Sequence, residues 1–367
     1  MSIFNEQLDQ NKANYVPLSP VSFLRRAAQI APDNAAVIYG ERRYTYSQFW
    51  ERSCRLASAL TRRGFGPGDC VAIMAANTPE MLEAHNGIPM MGAVLNSLNI
   101  RLDAATIAFI LDHGQASVLI TDRAFSSTIA EALQLIHRPL LVIDINDSTS
   151  PDGELIGDTD YESLLAEGET VYHSDQPDDE WQALSLLYTS GTTGNPKGCV
   201  YHHRGAYLNA LGNMATMGLT RESVYLWTLP MFHCDGWTFT WGVTAALATH
   251  VCLREVDPAR VFELIRDEKV SHMCGAPVVL NMLAHAPDNA KTRFPQRVEI
   301  ATGGAAPPSP VIEAMEENGF NVTHLYGLTE TYGPATVCLT QADWSELSVT
   351  DRSTRIARQG VHYATLE

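Results

Sequence analysis

The sequence predicts an α/β protein in which mostly parallel sheets, covered by helices, pack in layers. Three observations predict it. The chain has 367 residues and 45% hydrophobic content, enough for a large buried core divided among two or three subdomains. From Tyr44 onward, short apolar runs of strand length alternate with segments of helical periodicity. No internal repeat and no low-complexity tract interrupts that alternation.

The elements follow in order. Thr45 and Gln48 stand at capping-box spacing before a helix whose apolar face holds Phe49, Leu56, Ala57 and Leu60, and Gly64 stops it. Cys70 to Met74 reads as a short apolar strand. Thr78-Pro79 then opens a helix, with a capping hydroxyl before a proline whose missing N–H costs nothing there. Further strands are predicted around Ala93-Val94-Leu95, at Ser117 to Thr121 and at Pro139 to Ile145, with a capped helix over Asp103 to Gly114. This is βαβ grammar, which calls for a parallel sheet. Asn146 to Asp160, rich in Asp, Ser, Thr, Pro and Gly, and the acidic Gln176 to Glu180 read as surface loop separating two subdomains. A second series follows: strands at Leu184 to Tyr188, near Val224 to Leu229 and at Val251 to Leu253, and a helix near Pro258 to Lys269.

The charge balance of 25 basic against 42 acidic residues, net -17, repels nucleic-acid phosphates and anionic membrane surfaces, so neither is expected as a partner. Met1 to Pro20 contains no apolar run and does not read as a signal peptide, and no stretch of 18 apolar residues is long enough to span a bilayer. Seven scattered cysteines fit a reducing compartment better than a disulfide framework, which points to the cytoplasm.

The densest chemistry lies directly after an apolar strand, in Thr189-Ser190-Gly191-Thr192-Thr193-Gly194-Asn195-Pro196-Lys197-Gly198. Glycines let backbone N–H groups approach an anion, four hydroxyls offer contacts to phosphate oxygens or a cation, and Lys197 can neutralise leaving-group charge. It is not a Walker A loop, because Pro196 precedes the lysine and Gly198 follows it. Cys199, His202 and His203 invite a zinc reading but lack a fourth ligand. His233 beside Cys234 invites a catalytic dyad, yet adjacent residues rarely aim at one another.

Thr189 to Gly198 resembles the signature phosphate loop of the adenylate-forming superfamily: acyl-CoA synthetases, luciferases and peptide-synthetase adenylation domains. Three further segments resemble that family in order and spacing. Tyr326-Gly327-Leu328-Thr329-Glu330 is similar to a motif in which the aromatic ring stacks on adenine, the threonine meets phosphate and the glutamate helps to hold magnesium. Gly303-Gly304-Ala305-Ala306-Pro307 resembles the segment lying along adenine and beside the acyl group. Met231-Phe232-His233-Cys234-Asp235-Gly236-Trp237 resembles the acid-pocket motif, with His233 near the substrate carboxylate and Trp237 walling, and capping, the acyl site. The resemblance covers about Val21 to Glu367.

It implies an AMP-forming acid:CoA ligase that activates a carboxylic acid with ATP and Mg2+ to an acyl-adenylate and passes the acyl group to CoA. The implied nucleotide contacts are Thr189, Ser190, Gly191, Thr192, Thr193, Gly194 and Lys197 on the phosphates, and Gly303, Gly304, Ala305, Ala306, Tyr326, Gly327 and Thr329 on the rest. Thr189 and Glu330 would hold magnesium; His233, Trp237 and Gly304 would meet the acid; Lys197, Glu330, Thr193 and His233 would act in catalysis. Leu95 to Leu102 resembles the branch handling short, medium or substituted acids. Relatives occur as monomers and as dimers, so a homodimer is among the implied partners.

The implied organisation is an acyl-CoA synthetase-like N-terminal domain over 1–367, with subdomains over roughly 20–175 and 176–340. The start of a third, barrel-like subdomain would lie over 341–367, and the C-terminal domain with its hinge and lysine is absent. Rival readings are a domain loading an amino acid onto a carrier protein and an inactive nucleotide-binding module. Carrier-loading domains normally place an acidic residue where His233 stands.

Overall fold

The structure, a computed structural model, describes residues 2–150, 152–174, 177–190, 195–292 and 294–366. Gly191, Thr192, Thr193 and Gly194 lie outside the described residues, as do Gln176 and Glu367.

Sixteen strands are found among the described residues: β1 Ala35–Tyr39, β2 Arg42–Thr45, β3 Cys70–Met74, β4 Val94–Ser97, β5 Ala116–Asp122, β6 Leu141–Ile145, β7 Thr159–Asp160, β8 Ala183–Thr189, β9 Lys197–His202, β10 Val224–Leu226, β11 Thr249–Val251, β12 His272–Gly275, β13 Val298–Thr302, β14 Phe320–Leu328, β15 Gly333–Val337 and β16 Val361–His362. They form a nine-stranded sheet ordered β16-β15-β14-β13-β12-β10-β11-β1-β2 and a seven-stranded sheet ordered β7-β6-β5-β3-β4-β8-β9. Both are parallel in their interiors; the antiparallel pairs β1–β2, β14–β15, β15–β16 and β8–β9 lie at the edges.

The layering follows from side-chain alternation. Val71, Ile73, Leu95, Val118 and Ile143 of the smaller sheet share one core with Val37, Tyr225, Trp227 and Ala301 of the larger, and between them lie the helices Tyr46–Arg62 and Pro79–Met90. The opposite faces are covered separately. Cys70, Ala72 and Leu119 pack under Ala104–His113 and Ser126–Leu133, while Ile38, Leu226, Met273 and Ile300 pack under Pro258–Asp267, Pro277–Ala284 and Ser309–Glu317. The result is helix, sheet, helix, sheet, helix. Strands buried on both faces read as continuous apolar runs, and all five residues of β3 are buried.

Local signals act as expected. The side chain of Thr45 caps the helix at Gln48 N while Gln48 caps back, and Asp103 accepts from Thr106 N at the start of its helix. Gly64 takes φ +92 just past the end of Tyr46–Arg62.

The strands do not part between the sheets at residue 175. β1 and β2 belong to the larger sheet, where β1 pairs in parallel with β11, and β8 and β9 belong to the smaller, where β8 pairs with β4. Beyond residue 340, Val349–Ile356 packs on Ser309–Glu317 and β16 extends the larger sheet. The described residues hold no closed barrel, and β16 lies at the edge of the nine-stranded sheet.

Candidate functional site

The parallel strands of both sheets end on one side of the molecule. Carboxyl ends of parallel strands are where α/β folds present loops to ligands. There a cavity of about 760 Å³ is bordered by the end of β4 (Asn96, Ser97), the end of β8 with Ser190, the segment after β13 (Gly303, Gly304), the end of β14 running into Glu330, and the loop carrying Phe232, His233, Cys234 and Trp237.

That loop is held from below. Asn77, just past β3, donates Nδ2 to Trp227 O and Leu229 O at 2.9 Å, and its Oδ1 accepts from Met231 N at 2.8 Å. One side chain from the smaller sheet therefore fixes the exit from β10 of the larger. Cys234, Asp235, Gly236, Trp237 and Thr238 then all take φ between 50 and 61°, a left-handed turn. For L-residues other than glycine this backbone costs on the order of 1–3 kcal/mol each. Asn213, on the helix His203–Thr216, offsets part of that cost by donating Nδ2 to Trp237 O at 2.6 Å, and Thr238 Oγ1 donates to Asn209 Oδ1 at 2.6 Å.

The turn sets Trp237 on edge between two glycines. A Cβ on Gly303 would stand 2.8 Å from Leu325 O and 3.0 Å from the indole, and one on Gly333 would stand 3.0 Å from Trp237 Cα. Only a residue without a side chain fits at either place. The indole is 7% exposed and walls the cavity.

On the other side, β14 brings Tyr326, 38% exposed, and then Glu330, also exposed. Thr329 is anchored beneath them: its carbonyl accepts from Tyr201 Oη at 2.6 Å, and its Oγ1 lies 3.4 Å from Cys234 Sγ. Tyr332, at φ +65, packs its ring at a tilt 4.1 Å from that of Tyr201 and accepts from His202 N at 3.1 Å. The Tyr326 to Glu330 segment is thereby tied to β9.

Burial and charge shape the titrating groups. Burial pushes the Cys234 thiol up to about 11, so it is a thiol and not a nucleophilic thiolate near neutral pH. Burial, then the carboxylates of Glu330 and Asp235, raise Cys199 as well. His233 is open to the cavity, yet the walls crowd its ring and push its pKa below the usual imidazole value, leaving a neutral side chain able to donate one hydrogen bond.

Among the sequence-predicted residues, Thr189, Ser190, His233, Trp237, Gly303, Gly304, Tyr326, Gly327, Thr329 and Glu330 line the one cavity. Lys197 is exposed, opposite Thr189 across the β8–β9 pair, and with Ala305 and Ala306 is not among the lining residues. Cys199, His202 and His203 turn to separate partners: Thr329 O, Gly205 N and Ser19 Oγ. Sequence reasoning missed Asn77, Asn209, Asn213, Tyr201 and Tyr332. Each acts across more than 100 residues of chain or through helix packing, and the one readable signal was the Asn209/Asn213 spacing of four on a single helix face.

The donor set suits a nucleotide and a hard cation. Exposed tyrosine and glycine edges can lie along a base, hydroxyls and backbone N–H groups can meet phosphate, and a carboxylate lining the same cavity as Thr189 suits magnesium shared with phosphate oxygens. Among the described residues, no group of three or more His, Cys, Asp or Glu stands where it could hold a metal ion.

The chain is 46% identical to the peroxisomal acetate/butyrate–CoA ligase of Arabidopsis thaliana and 44% identical to an acetate–CoA ligase of Humulus lupulus, with 99% of this chain and 66% of each relative aligned. It therefore spans a little under two thirds of the length of these relatives. Its fold is similar to the crystal structure of the N-terminal domain of FACL13 from Mycobacterium tuberculosis, with a TM-score of 0.77 at 24% identity over 94% of this chain and 83% of that one. A family model described as AMP-binding enzyme matches residues 24–361, and the chain belongs to that family, as its N-terminal domain.

Proposed function

We propose that this chain is the nucleotide- and acid-binding part of an AMP-forming acid:CoA ligase. One observation carries the reading. Four segments spread from residue 189 to residue 330, each with chemistry suited to a different part of an acyl-adenylate, border a single cavity at the carboxyl ends of the strands.

The reaction is attack of a carboxylate oxygen on the α-phosphorus of ATP with loss of pyrophosphate, followed by displacement of AMP by the CoA thiol. Such chemistry needs positioning and charge neutralisation more than covalent help. Thr189, Ser190 and the glycine-rich loop bind phosphate, Tyr326 and the Gly303–Gly304 edge orient adenine, and the neutral His233 imidazole donates to the substrate carboxylate. Thr193 and Lys197 belong to the same proposed phosphate contacts, with Ala305 and Ala306 continuing the adenine edge. Thr189 and Glu330 would hold Mg2+, which when bound neutralises charge on the phosphate oxygens. Trp237, fixed between Gly303 and Gly333, shortens the acid site and favours short or medium acids. The relatives named for acetate and butyrate are in keeping with that reading.

All seven cysteines are unpaired, in keeping with a reducing compartment such as the cytoplasm, while the first of these relatives is named peroxisomal. No helix among the described residues is long and apolar enough to cross a membrane. Fractionation separates the two locations, and sedimentation decides between monomer and homodimer.

The test is to incubate the longest reading frame containing this chain with ATP, magnesium, CoA and a panel of short, medium, long and aromatic acids, and to follow acyl-AMP and acyl-CoA by mass. Both products from short or medium acids are expected. Acyl-AMP without acyl-CoA would favour the carrier-loading reading. Nucleotide binding without product from any acid would make the chain an inactive module.

A further inference from the structure

The left-handed turn that presents Trp237 carries a carboxylate that the proposed chemistry does not use. Asp235 is fully buried, two residues before the indole, and its Oδ1 lies 3.3 Å from Nε2 of His85, which is equally buried on the helix Pro79–Met90. Ser97 Oγ, from the end of β4 at the cavity wall, reaches the same Oδ1 at 3.4 Å.

One side of the His85 ring is set by hydrogen bonding. His85 Nδ1 lies 2.7 Å from Met81 O, a carbonyl that only accepts, so Nδ1 carries a proton. Nε2 then faces a carboxylate oxygen at 3.3 Å as a close polar contact, with no hydrogen-bond partner of its own among the described residues. The contact joins the turn to a helix of the central layer. The His85 ring also packs 5.6 Å from Trp241, whose Nε1 donates to His85 O at 3.0 Å, so the ring has no free rotation. Asp235 Oδ2 has no hydrogen-bond partner among the described residues, so the carboxylate is held through Oδ1, which faces Ser97 Oγ and His85 Nε2.

We propose that His85 and Asp235 are a positioning pair that sets acid specificity: they lock the turn 234–238 so that Trp237 stands as a rigid end wall of the acid site. This rests on the acid-activating reading above. Neither residue touches substrate. Loosening the pair lets the strained turn relax, frees the indole to swing, and admits longer acids at the expense of short ones.

The experiment measures kcat/KM for acetate, butyrate and hexanoate, together with KM for ATP, in the parent, Asp235→Ala, His85→Ala, the double variant and Asp235→Asn. The expected result is a hexanoate-to-acetate ratio raised by about tenfold in each alanine variant, the order of magnitude that one or two methylenes command in an apolar pocket. ATP KM should be unchanged. The double variant should match the single ones, because the two residues act as one unit. Asparagine, which can donate Nδ2–H to a neutral His85, should restore the parental ratio. If Asp235→Ala does not fold, His85→Leu, which keeps most of the side-chain volume and removes both ring nitrogens, is read by the same ratio. An unchanged ratio in folded variants, or an equal loss for all three acids, overturns the proposal while leaving acid activation intact. A parent that activates no acid overturns both.

Discussion

Two buried imidazoles show how single residues set the pH range of the fold. His250 accepts from Trp227 Nε1 at 3.0 Å, its other nitrogen lies 3.0 Å from Thr244 Oγ1, and burial pushes its pKa down to about 3; burial likewise takes His203 down to about 4. Both fall below the ordinary value of 6.5, so the unfolded chain binds these protons more readily than the folded one. Stability is therefore full above about pH 6.5 and is lost as pH falls toward 4 and 3, at about 1.4 kcal/mol per unit for each group. Between pH 7 and pH 5, His250→Gln should remove about 2 kcal/mol of that loss in urea unfolding; a slope equal to the parent's would contradict the assignment. Gly303 makes a steric case. Gly303→Ala puts a methyl against Leu325 O and the Trp237 ring, which overpacks the wall by about 1–3 kcal/mol. It should raise the acid KM about tenfold or more with little change in ATP binding.

At the scale of elements, the helices and buried strands were legible because each carries its own signal: the Thr45–Gln48 box, the Asp103 cap, the all-buried run of β3. The left-handed turn was not. Cys234, Trp237 and Thr238 have no local preference for positive φ, and the turn is held by Asn209 and Asn213 of the helix His203–Thr216, with His85, all outside the turn itself. The motif could be read, but not its support. Asn213→Ala leaves Trp237 O without its donor and should cost about 1–3 kcal/mol by thermal unfolding. It should also weaken acid binding more than ATP binding; equal losses for both substrates would mean that the asparagine serves the fold alone.

For the whole molecule, the α/β class was legible from the alternation of helix and strand, whereas the assignment of strands to sheets was not. β1 and β2 precede every strand of the smaller sheet yet join the larger, a pairing of β1 with β11 that no local pattern announces. The sheets are also tied by charge. Arg254, just past β11, meets Asp122 at the end of β5 at 2.6 Å and Asp147 beyond β6 at 3.0 Å, and Asp147 accepts from Tyr39 of β1 at 2.6 Å. Arg254→Ala strands two buried carboxylates and should cost on the order of 3–5 kcal/mol in urea unfolding. A cost below about 1 kcal/mol would mean that water replaces the guanidinium.

The central claim is that the segments bordering the cavity meet one MgATP and one acid. Acid-dependent exchange of labelled pyrophosphate into ATP, compared between the parent and Glu330→Ala, tests it most directly. The account predicts exchange with a short or medium acid in the parent and its loss in a folded Glu330→Ala protein. Undiminished exchange in the variant, with normal magnesium dependence, would contradict it.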